Sequence, residues 1–350
     1  MRSVIERAAR GWWAGEAGAA GQLLSALCLP AELAFRGAVS LRSAAYDRGL
    51  LSVQHAPVPV ICVGNLTVGG TGKTPLVRWV VRVLEEEGRR PAVAVRGYGR
   101  DEVLLHRRWS LAASVHAHAD RVMAARAGAA SGADVVVLDD GFQHRRLARD
   151  LDLVAVAAEQ PFPGRLLPRG PYREPPGALR RAGLVVVTHR SAMAVAVGRL
   201  EETVQQAAPE VALARARLAP GMWEGLEGLP SSAPHGQVLV ATGVAGPRAF
   251  AALVGEQTGA VVELLEFSDH HEFTPGDVEH IGRVAAGRPV AVTEKDAVKL
   301  REHMGILPDV RVLTLTLEIE SGEELLRKRI LGVMVARRPG PGAVPKGVPR

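Results

Sequence analysis

The stretch that decides the fold covers residues 63–75 and reads VGNLTVGGTGKTP. An apolar run at 58–63 precedes it and an amphipathic pattern at 75–88 follows it, which predicts a strand, a glycine-rich turn and a helix in succession. This order is typical of a phosphate-binding loop, whose backbone N–H groups and helix N-terminus face the phosphates. The usual loop has a glycine five residues before Gly72, where this chain has Thr67. A plain glycine-rich turn is the alternative interpretation.

Two side chains at the end of this stretch carry the predicted chemistry. Lys73 would place a positive charge on the β- and γ-phosphates of a nucleotide. The Thr74 hydroxyl would ligate Mg²⁺. Pro75 suits the first turn of a helix, where its missing N–H costs little.

Short apolar runs alternate with helical patterns along the rest of the chain, which predicts an α/β fold with a parallel sheet covered on both faces. The runs lie at 91–95, 134–140, 151–157, 183–189, 238–243, 260–267, 289–295 and 310–319. We expect a P-loop kinase domain over 46–210 and a second, smaller α/β domain over 211–336. The Gly-, Pro- and Ser-rich region 208–236 is the predicted connection. The basic, proline-rich tail 337–350 is predicted to be disordered.

Composition limits the class of protein. A net charge of +6 favours anionic partners, although a basic surface with no such role has the same composition. Cys28 and Cys62 stand far apart in apolar settings, which excludes a disulfide framework or a cysteine metal knuckle and fits reduced thiols.

The N-terminal segment 1–45 is rich in Trp, Leu, Ala and Phe between residues 12 and 40. Glu16, Glu32 and Arg36 interrupt it, so no uninterrupted apolar run reaches the length of about 20 residues that a spanning helix needs. The composition suits an amphipathic helix that lies in a membrane interface. A helix packed on the protein's own core is the alternative.

Two acidic motifs follow predicted strands. In VVVLDDGFQH (135–144), Asp139 and Asp140 stand at a strand end, where a P-loop enzyme holds its metal, although Asp-Gly also begins ordinary turns. In RGYGRDEVLL (96–105), Asp101 is placed at the carboxyl edge of the sheet, where it could accept a proton from an acceptor hydroxyl. A solvated turn explains the second motif equally well.

Three further motifs are polar or basic. In FSDHHEFT (267–274), adjacent histidines on a strand would face opposite sides, so we expect one of His270 and His271 at the active site and no shared metal. TEKDAVKL (293–300) offers lysines for phosphate or for local salt bridges. GRLLPRGPYREP (164–175) is a proline-rich loop with three arginines, suited to an anionic substrate or simply solvated.

These motifs, in this order, resemble those of the tetraacyldisaccharide 4′-kinase (lipid A 4′-kinase) family, and the resemblance spans residues 40–318. The form TVGGTGKTP of the loop is the family's own variant. The resemblance implies a membrane-associated P-loop kinase. It would transfer the γ-phosphate of ATP, with Mg²⁺, to the 4′-hydroxyl of tetraacyldisaccharide 1-phosphate, giving lipid IVA in lipid A biosynthesis.

The resemblance also implies residue roles. Asp101 corresponds to the catalytic base and His270 to the histidine that supports it, and Thr74, Asp139 and Asp140 correspond to the metal site. The residues expected to bind ATP are Thr67, Gly69, Gly70, Thr71, Gly72, Lys73 and Thr74. The residues expected to bind the substrate are Arg96, Gln143, Arg165, Arg169 and Arg173.

Two features depart from the family pattern. A longer insertion usually separates the Arg-Gly-Tyr-Gly-Arg motif from the Asp-Glu pair, whereas here Arg100 directly precedes Asp101. The pair is usually followed by proline, and here Val103 follows.

The expected location is the cytoplasmic face of the bacterial inner membrane, as a peripheral or monotopic protein. The expected partners are the lipid substrate and the membrane surface, with no nucleic acid and no protein partner. Two alternatives remain: a membrane-associated P-loop ATPase switch, which would hydrolyse ATP without a lipid acceptor, and a soluble small-molecule kinase, whose N-terminal helix would belong to its core.

Overall fold

A computed structural model describes residues 8–9, 11–13, 15–97, 99–110, 112–244, 246–307 and 309–336. The tail 337–350, predicted to be disordered, lies outside these residues.

The core of the structure is one eleven-stranded sheet flanked by helices. The strands are β1 (Val60–Asn65), β2 (Pro91–Val95), β3 (Ser114–Ala117), β4 (Val135–Asp139), β5 (Leu151–Ala157), β6 (Leu184–His189), β7 (Ala212–Gly225), β8 (Gln237–Thr242), β9 (Val261–Glu266), β10 (Val290–Thr293) and β11 (Val310–Ser321). The helices are α1 (Gly18–Leu27), α2 (Leu29–Asp47), α3 (Lys73–Glu86), α4 (Arg100–Trp109), α5 (Arg121–Ala130), α6 (Ala194–Ala207), α7 (Pro247–Thr258), α8 (Pro275–Ala285), α9 (Glu294–Leu300) and α10 (Glu323–Ala336). Short 3₁₀ turns occupy Pro176–Arg181 and Arg301–His303.

The strands follow the order β3-β2-β4-β1-β5-β6-β7-β11-β10-β8-β9. The first seven neighbours pair in parallel, and so do the last four. Only the pairing of β7 with β11 is antiparallel. The predicted parallel sheet is therefore confirmed, and an antiparallel seam divides it into a larger first half and a smaller second half.

Alternate residues of β1 belong to two separate clusters of buried side chains, one on each face of the sheet. Val60 and Cys62 contribute to one cluster, and Ile61 and Val63 to the other. A strand that is apolar at every position suits a sheet covered on both faces, as predicted.

About half of the region 208–236, predicted as an interdomain connection, is a strand. β7 occupies 14 residues of it, pairs with β6 on one side and with β11 on the other, and so joins the two halves by backbone hydrogen bonds. Its glycine and proline content was misleading because long-range pairing overrides local propensity.

The N-terminal segment forms two helices, α1 and α2, bent by 52° at Cys28, with Pro30 in the first turn of α2. Among the described helices, none is long and apolar enough by itself to cross a membrane; this bent pair meets the criterion of length and composition only when both helices are taken together. The indole N–H of Trp12 donates to the Gly21 carbonyl at 2.8 Å, which ties that side chain to α1.

Candidate functional site

The glycine-rich loop after β1 ends at Gly72, whose φ of 79° lies in the left-handed region immediately before α3. A side chain there would be strained, and its Cβ would lie 3.0 Å from Leu218 Cδ1 on β7. Lys73 and Thr74 are the first two residues of α3, so both stand where the helix N-terminus favours an anion. The backbone thus has the form of a phosphate-binding loop.

Thr67 and Val68 fasten the entry of this loop to Gln160 and to the segment 164–175. The Thr67 hydroxyl donates to Gln160 Oε1 at 2.8 Å, and the side chain is 4% exposed. Next to it, Val68 N–H donates to the Pro171 carbonyl at 2.8 Å. The residue that departs from the usual loop therefore has a structural partner in this fold.

The acid pair lies at the end of β4, beside the loop, because Val63 of β1 and Asp139 are paired in register. Asp140 follows with a φ of 58°, an unusual conformation that aspartate tolerates. Arg173 donates two hydrogen bonds to the Asp140 carboxylate, at 2.8 and 3.0 Å, and Lys73 Nζ lies 3.8 Å from it.

The charges of neighbouring side chains determine the protonation state of Asp140. Burial disfavours the ionised form of Asp140, but the charges of Lys73 and Arg173 outweigh it and hold its pKa well below the ordinary value. Burial lowers the pKa of Lys73, which the charge of Asp140 opposes. The cluster is therefore an ionised acid between two cations.

The donor set fits a Mg²⁺ ion that is shared with a nucleotide. Mg²⁺ is usually held by one or two carboxylates together with substrate phosphates and water. Thr74, Asp139 and Asp140 supply a hydroxyl and two carboxylates at the loop. Within the described part of the chain no group of three or more His, Cys, Asp or Glu is placed to hold a metal ion.

Asp101 lies in the first turn of α4 and is 2% exposed. His270 Nδ1 lies 2.9 Å from Asp101 Oδ2 and 3.1 Å from Oδ1. The alternative of a solvated turn is therefore wrong, because the motif begins a helix whose acid is buried against a histidine.

This pair shifts both pKa values. Burial opposes the ionisation of Asp101, but the hydrogen bond and charge of His270 outweigh it, so the pKa of Asp101 lies below its ordinary value. The hydrogen bond to Asp101 raises the pKa of His270 against the effect of burial. Asp101 is therefore an ionised acceptor at neutral pH.

The second histidine of the motif is used elsewhere. His271 Nε2 lies 3.1 Å from Asp277 Oδ2 at the start of α8, and its ring stacks on Phe267 at 4.9 Å. The motif is a loop and not a strand, and His270 has a left-handed φ of 57°. The expectation that opposite strand faces separate the two rings was therefore wrong; backbone strain at His270 turns it towards Asp101.

Gly99 leaves room for this pair. Its φ is 108°, and a Cβ there would lie 2.7 Å from Asp101 Oδ1 and 3.3 Å from His270 Nδ1. The glycine is required both by its backbone conformation and by its closeness to two functional atoms.

The arginines of the segment 164–175 have different partners. Arg173 contacts Asp140, as described above, while Arg169 contacts Glu32 Oε2 of α2 at 2.6 Å. Arg165 donates to the Ser25 hydroxyl of α1 at 3.3 Å. The structure therefore brings Arg173 to the acid pair and places Arg169 and Arg165 against the N-terminal helices.

A cavity of about 390 Å³ separates α2 from the acid pair. Its lining combines an apolar wall with arginines; the lining residues are Phe35, Ala38, Val39, Arg42, Ser43, Gln143, Arg145, Leu167, Arg173 and Glu174. Gln143 Nε2 donates to the Asn65 carbonyl at 2.9 Å, which holds this side chain beside the loop. The cavity thus presents apolar side chains together with arginines and Glu174.

The motif TEKDAVKL follows β10 as the helix α9. Lys299 Nζ lies 3.8 Å from Asp296 Oδ1, and both side chains are almost fully buried. Of the two uses expected for its lysines, Lys299 serves the local salt bridge.

Sequence reasoning did not identify His106, Arg42 or Arg145 as site residues. His106 Nε2 lies 2.9 Å from Asp139 Oδ2, with both side chains buried. Even with Arg100–Trp109 known to be a helix, the spacing of five from Asp101 puts His106 on a different side of α4, and no motif signals its burial. Arg42 and Arg145 come together only through the packing of α2, with Arg145 stacked on Tyr46 at 5.1 Å.

Comparison with known proteins gives a consistent picture. The family model of LpxK, the tetraacyldisaccharide-1-P 4′-kinase, matches residues 24–104 and 100–334. The chain is 39% identical to a tetraacyldisaccharide 4′-kinase of Anaeromyxobacter dehalogenans (strain 2CP-C), over 90% of this chain and 92% of that protein. It is 38% identical to one from Xanthomonas euvesicatoria pv. vesicatoria, over 78% and 84% respectively.

A crystal structure of LpxK from Aquifex aeolicus in complex with ATP superposes with a TM-score of 0.70 and 26% identity, covering 89% of this chain and 99% of that one. Fold, site geometry and sequence similarity agree, and the chain belongs to the tetraacyldisaccharide-1-P 4′-kinase family.

Proposed function

We propose that this protein transfers the γ-phosphate of ATP to the 4′-hydroxyl of tetraacyldisaccharide 1-phosphate, which gives lipid IVA. The observation that carries the proposal is the contact of the buried Asp101 with His270, which supplies an ionised proton acceptor in a protein that also has a phosphate loop with an adjacent acid pair. A P-loop ATPase switch transfers no phosphate to a sugar hydroxyl. It therefore does not need an acid–histidine pair that accepts the proton of such a hydroxyl.

The phosphate loop is proposed to position the nucleotide. Backbone N–H groups of Gly69, Gly70 and Gly72 and the charge of Lys73 would contact its phosphates. Thr74 and the acid pair would hold Mg²⁺, which, when bound, neutralises charge on the β- and γ-phosphates. These groups would act mainly by positioning the nucleotide and by neutralising charge on its phosphates. Positioning and charge stabilisation are what a protein mainly contributes to phosphoryl transfer.

Asp101 is proposed as the general base. It would accept the proton of the attacking hydroxyl, while His270 keeps its carboxylate ionised and fixed in orientation. The shortened spacer before Asp101 is compatible with this role, since the acid still meets His270 at 2.9 Å.

The cavity between α2 and the acid pair is proposed as the substrate site. Gln143 and Arg173, which line it, would contact the disaccharide and its phosphate, with Arg42 and Arg145 adding positive charge. Arg96 does not line this cavity and is proposed as a separate contact to the substrate. Arg165 and Arg169 are proposed to brace the N-terminal helices against this site.

A membrane-facing role is proposed for α1 and α2. Several leucines of these helices are exposed, among them Leu23 (64%), Leu27 (70%) and Leu33 (57%). Exposed apolar side chains on a surface helix are stabilised by insertion at a bilayer interface. The protein would then work at the cytoplasmic face of the inner membrane, where its acylated substrate is embedded.

The reaction is tested by offering labelled ATP and tetraacyldisaccharide 1-phosphate to the purified protein. We expect a labelled bisphosphorylated lipid, and we expect Lys73→Ala to reduce its formation by about 10²- to 10³-fold. Hydrolysis of ATP at the same rate with and without the lipid, and no labelled lipid, would favour the ATPase switch.

Membrane docking is tested by sedimentation with liposomes of anionic lipid. We expect Leu23→Ser/Leu27→Ser/Leu33→Ser to lose liposome binding. A matched control replaces three equally exposed apolar residues elsewhere, Met193, Leu229 and Val261. Equal binding by both triple variants would contradict the docking proposal.

A further inference from the structure

His106 is a buried histidine in contact with the acid pair. It lies on α4, and its Nε2 is 2.9 Å from Asp139 Oδ2. Both residues are 3% exposed. The ring of Trp109 meets the imidazole edge-on at a centroid distance of 5.6 Å, so the histidine is held in one orientation from a second side.

The contact uses one of the two carboxylate oxygens of Asp139. An ionised carboxylate only accepts hydrogen bonds, so Nε2 of His106 is the donor. Among the residues that the structure describes, none makes a second hydrogen bond to the Asp139 carboxylate. One oxygen is thus fixed by the protein, and the second is left for a cation at the loop.

Asp140, the other member of the acid pair, has cationic partners instead. Arg173 contacts both of its oxygens, and Lys73 stands nearby. The two neighbouring acids therefore have different partners: the Asp140 carboxylate contacts Arg173 and Lys73, whereas the Asp139 carboxylate, among the residues that the structure describes, contacts the ring nitrogen of His106.

We propose that His106 is a positioning residue for the metal site: its Nε2–H donates to Asp139 Oδ2 and fixes the plane in which Asp139 presents its other oxygen to Mg²⁺. Hydrogen-bond donors behind a metal-binding carboxylate set its orientation and with it the affinity for the metal. The inference rests on the proposed function to the extent that Asp139 is a metal ligand.

The helix that carries His106 also carries the proposed base. Asp101 precedes His106 by five residues, a rise of about 7.5 Å along a helix. The side chain of Trp109 on the same helix donates to Glu294 Oε1 of α9 at 2.9 Å, which docks the helix on the second half. One rigid element therefore sets the distance between the proton acceptor and the metal-binding acid.

The test measures metal affinity directly. Mn²⁺ replaces Mg²⁺, and its binding to the protein in the presence of a non-hydrolysable ATP analogue is followed by electron paramagnetic resonance. We expect His106→Leu to weaken Mn²⁺ binding by about 10- to 100-fold, with little change in metal-free binding of the analogue. We expect His106→Gln, whose amide N–H reaches the place of Nε2, to restore most of the affinity.

Two controls separate positioning from stability. Arg107→Leu, at an exposed position on the same helix, should bind Mn²⁺ as the wild type does. His106→Asn has a shorter side chain that does not reach Asp139, so it should resemble His106→Leu. If His106→Leu does not fold, the comparison of the Gln and Asn variants decides; equal metal affinity in those two, or wild-type affinity in His106→Leu, would overturn the proposal.

Failure of the proposed reaction would be visible separately. If the wild type binds Mn²⁺ and nucleotide but does not phosphorylate the lipid, while His106→Leu still loses metal affinity, the reaction is wrong and the role of His106 stands. If the wild type phosphorylates the lipid and the variants do not differ in metal affinity, the reaction stands and the role of His106 is wrong.

Discussion

His270 Nδ1 lies 2.9 Å from Asp101 Oδ2, although 169 residues separate the two along the chain. Asp101 follows β2 in the first half of the sheet, and His270 follows β9 in the second half. A single hydrogen-bonded pair thus draws its two members from opposite sides of the antiparallel seam. The proposed base is formed only when both halves are folded and joined.

The first prediction concerns the proposed base. Asp101→Asn keeps the size of the side chain but removes its ability to accept a proton. We expect kcat for lipid phosphorylation to fall by about 10²- to 10⁴-fold, with ATP affinity close to that of the wild type. Turnover near the wild-type value would show that Asp101 is not the base.

The second prediction concerns the pH dependence of the reaction. In His270→Gln, Asp101 loses the charged partner that lowers its pKa and keeps the burial that raises it. The pKa of Asp101 should therefore rise, and the acid limb of the kcat/KM profile should move to higher pH. An acid limb at an unchanged pH would mean that His270 does not act on the proton acceptor.

The third prediction concerns stability. The pKa of His270 is raised above its ordinary value of 6.5, so the stability that the protonated ring contributes is fully present below pH 6.5 and is lost as the pH rises through the raised value. Because the side chain is 39% exposed, we expect at most about 1 kcal/mol.

The measurement is the unfolding free energy in urea of the wild type and of His270→Gln, at about pH 5.5 and at about pH 8.5. The difference between the two proteins should be larger at the lower pH. The stability that ionised Asp101 contributes depends on pH in the opposite direction. Because the pKa of Asp101 is lowered, this stability is present above the ordinary pKa of 3.8 and is lost as the pH falls through the lowered value. Asp101 therefore stays ionised at both pH values of the measurement.

The fourth prediction concerns Gly99. In Gly99→Ala the new methyl group would meet the Asp101 carboxylate and displace it. We expect kcat to fall by about 10²-fold, since a shift of about 1 Å in a catalytic group has an effect of that size. Gly88→Ala is the matched control, with a φ of 68° but no atom within 4 Å of the added Cβ. Both variants should lose stability, Gly99→Ala by more because its methyl group also meets Asp101, and only Gly99→Ala should lose turnover.

The fifth prediction concerns the anchoring of the N-terminal helices. Glu32 is 4% exposed and accepts hydrogen bonds from Arg169 and from Leu166 N–H. Glu32→Ala leaves both donors without this partner, and we expect the protein to lose about 3 kcal/mol of stability against urea. Glu16→Ala, at an exposed position of the same segment, should have little effect. Equal stability of the two variants would contradict an anchoring role.

Local patterns in the sequence predicted much of the fold. The runs at 91–95 and 151–157 coincide with β2 and β5, because buried parallel strands are apolar at every position. The strand β7 was missed because its pairing with β11, about 100 residues away, is not visible in a local window.

The site was predictable where one residue type has one chemical use. Lys73 at the start of α3 and the acid pair at the end of β4 could be predicted from the local succession of strand, loop and helix alone. His106 and Arg169 could not be assigned in this way, because their partners, Asp139 and Glu32, are set by how helices pack on the sheet. The sequence of a loop does not show whether its charged side chain contacts a substrate or another part of the same chain.

The antiparallel pairing of β7 with β11 has a mechanical consequence. Paired strands cross the junction from Arg311↔Gly225 to Ser321↔Arg215, so a two-stranded ribbon joins the nucleotide-binding part to the part that carries His270. The same ribbon contacts the phosphate loop, because Leu218 of β7 lies against Gly72. A change in the shape of the ribbon would therefore alter both the contact between Asp101 and His270 and the packing behind the phosphate loop.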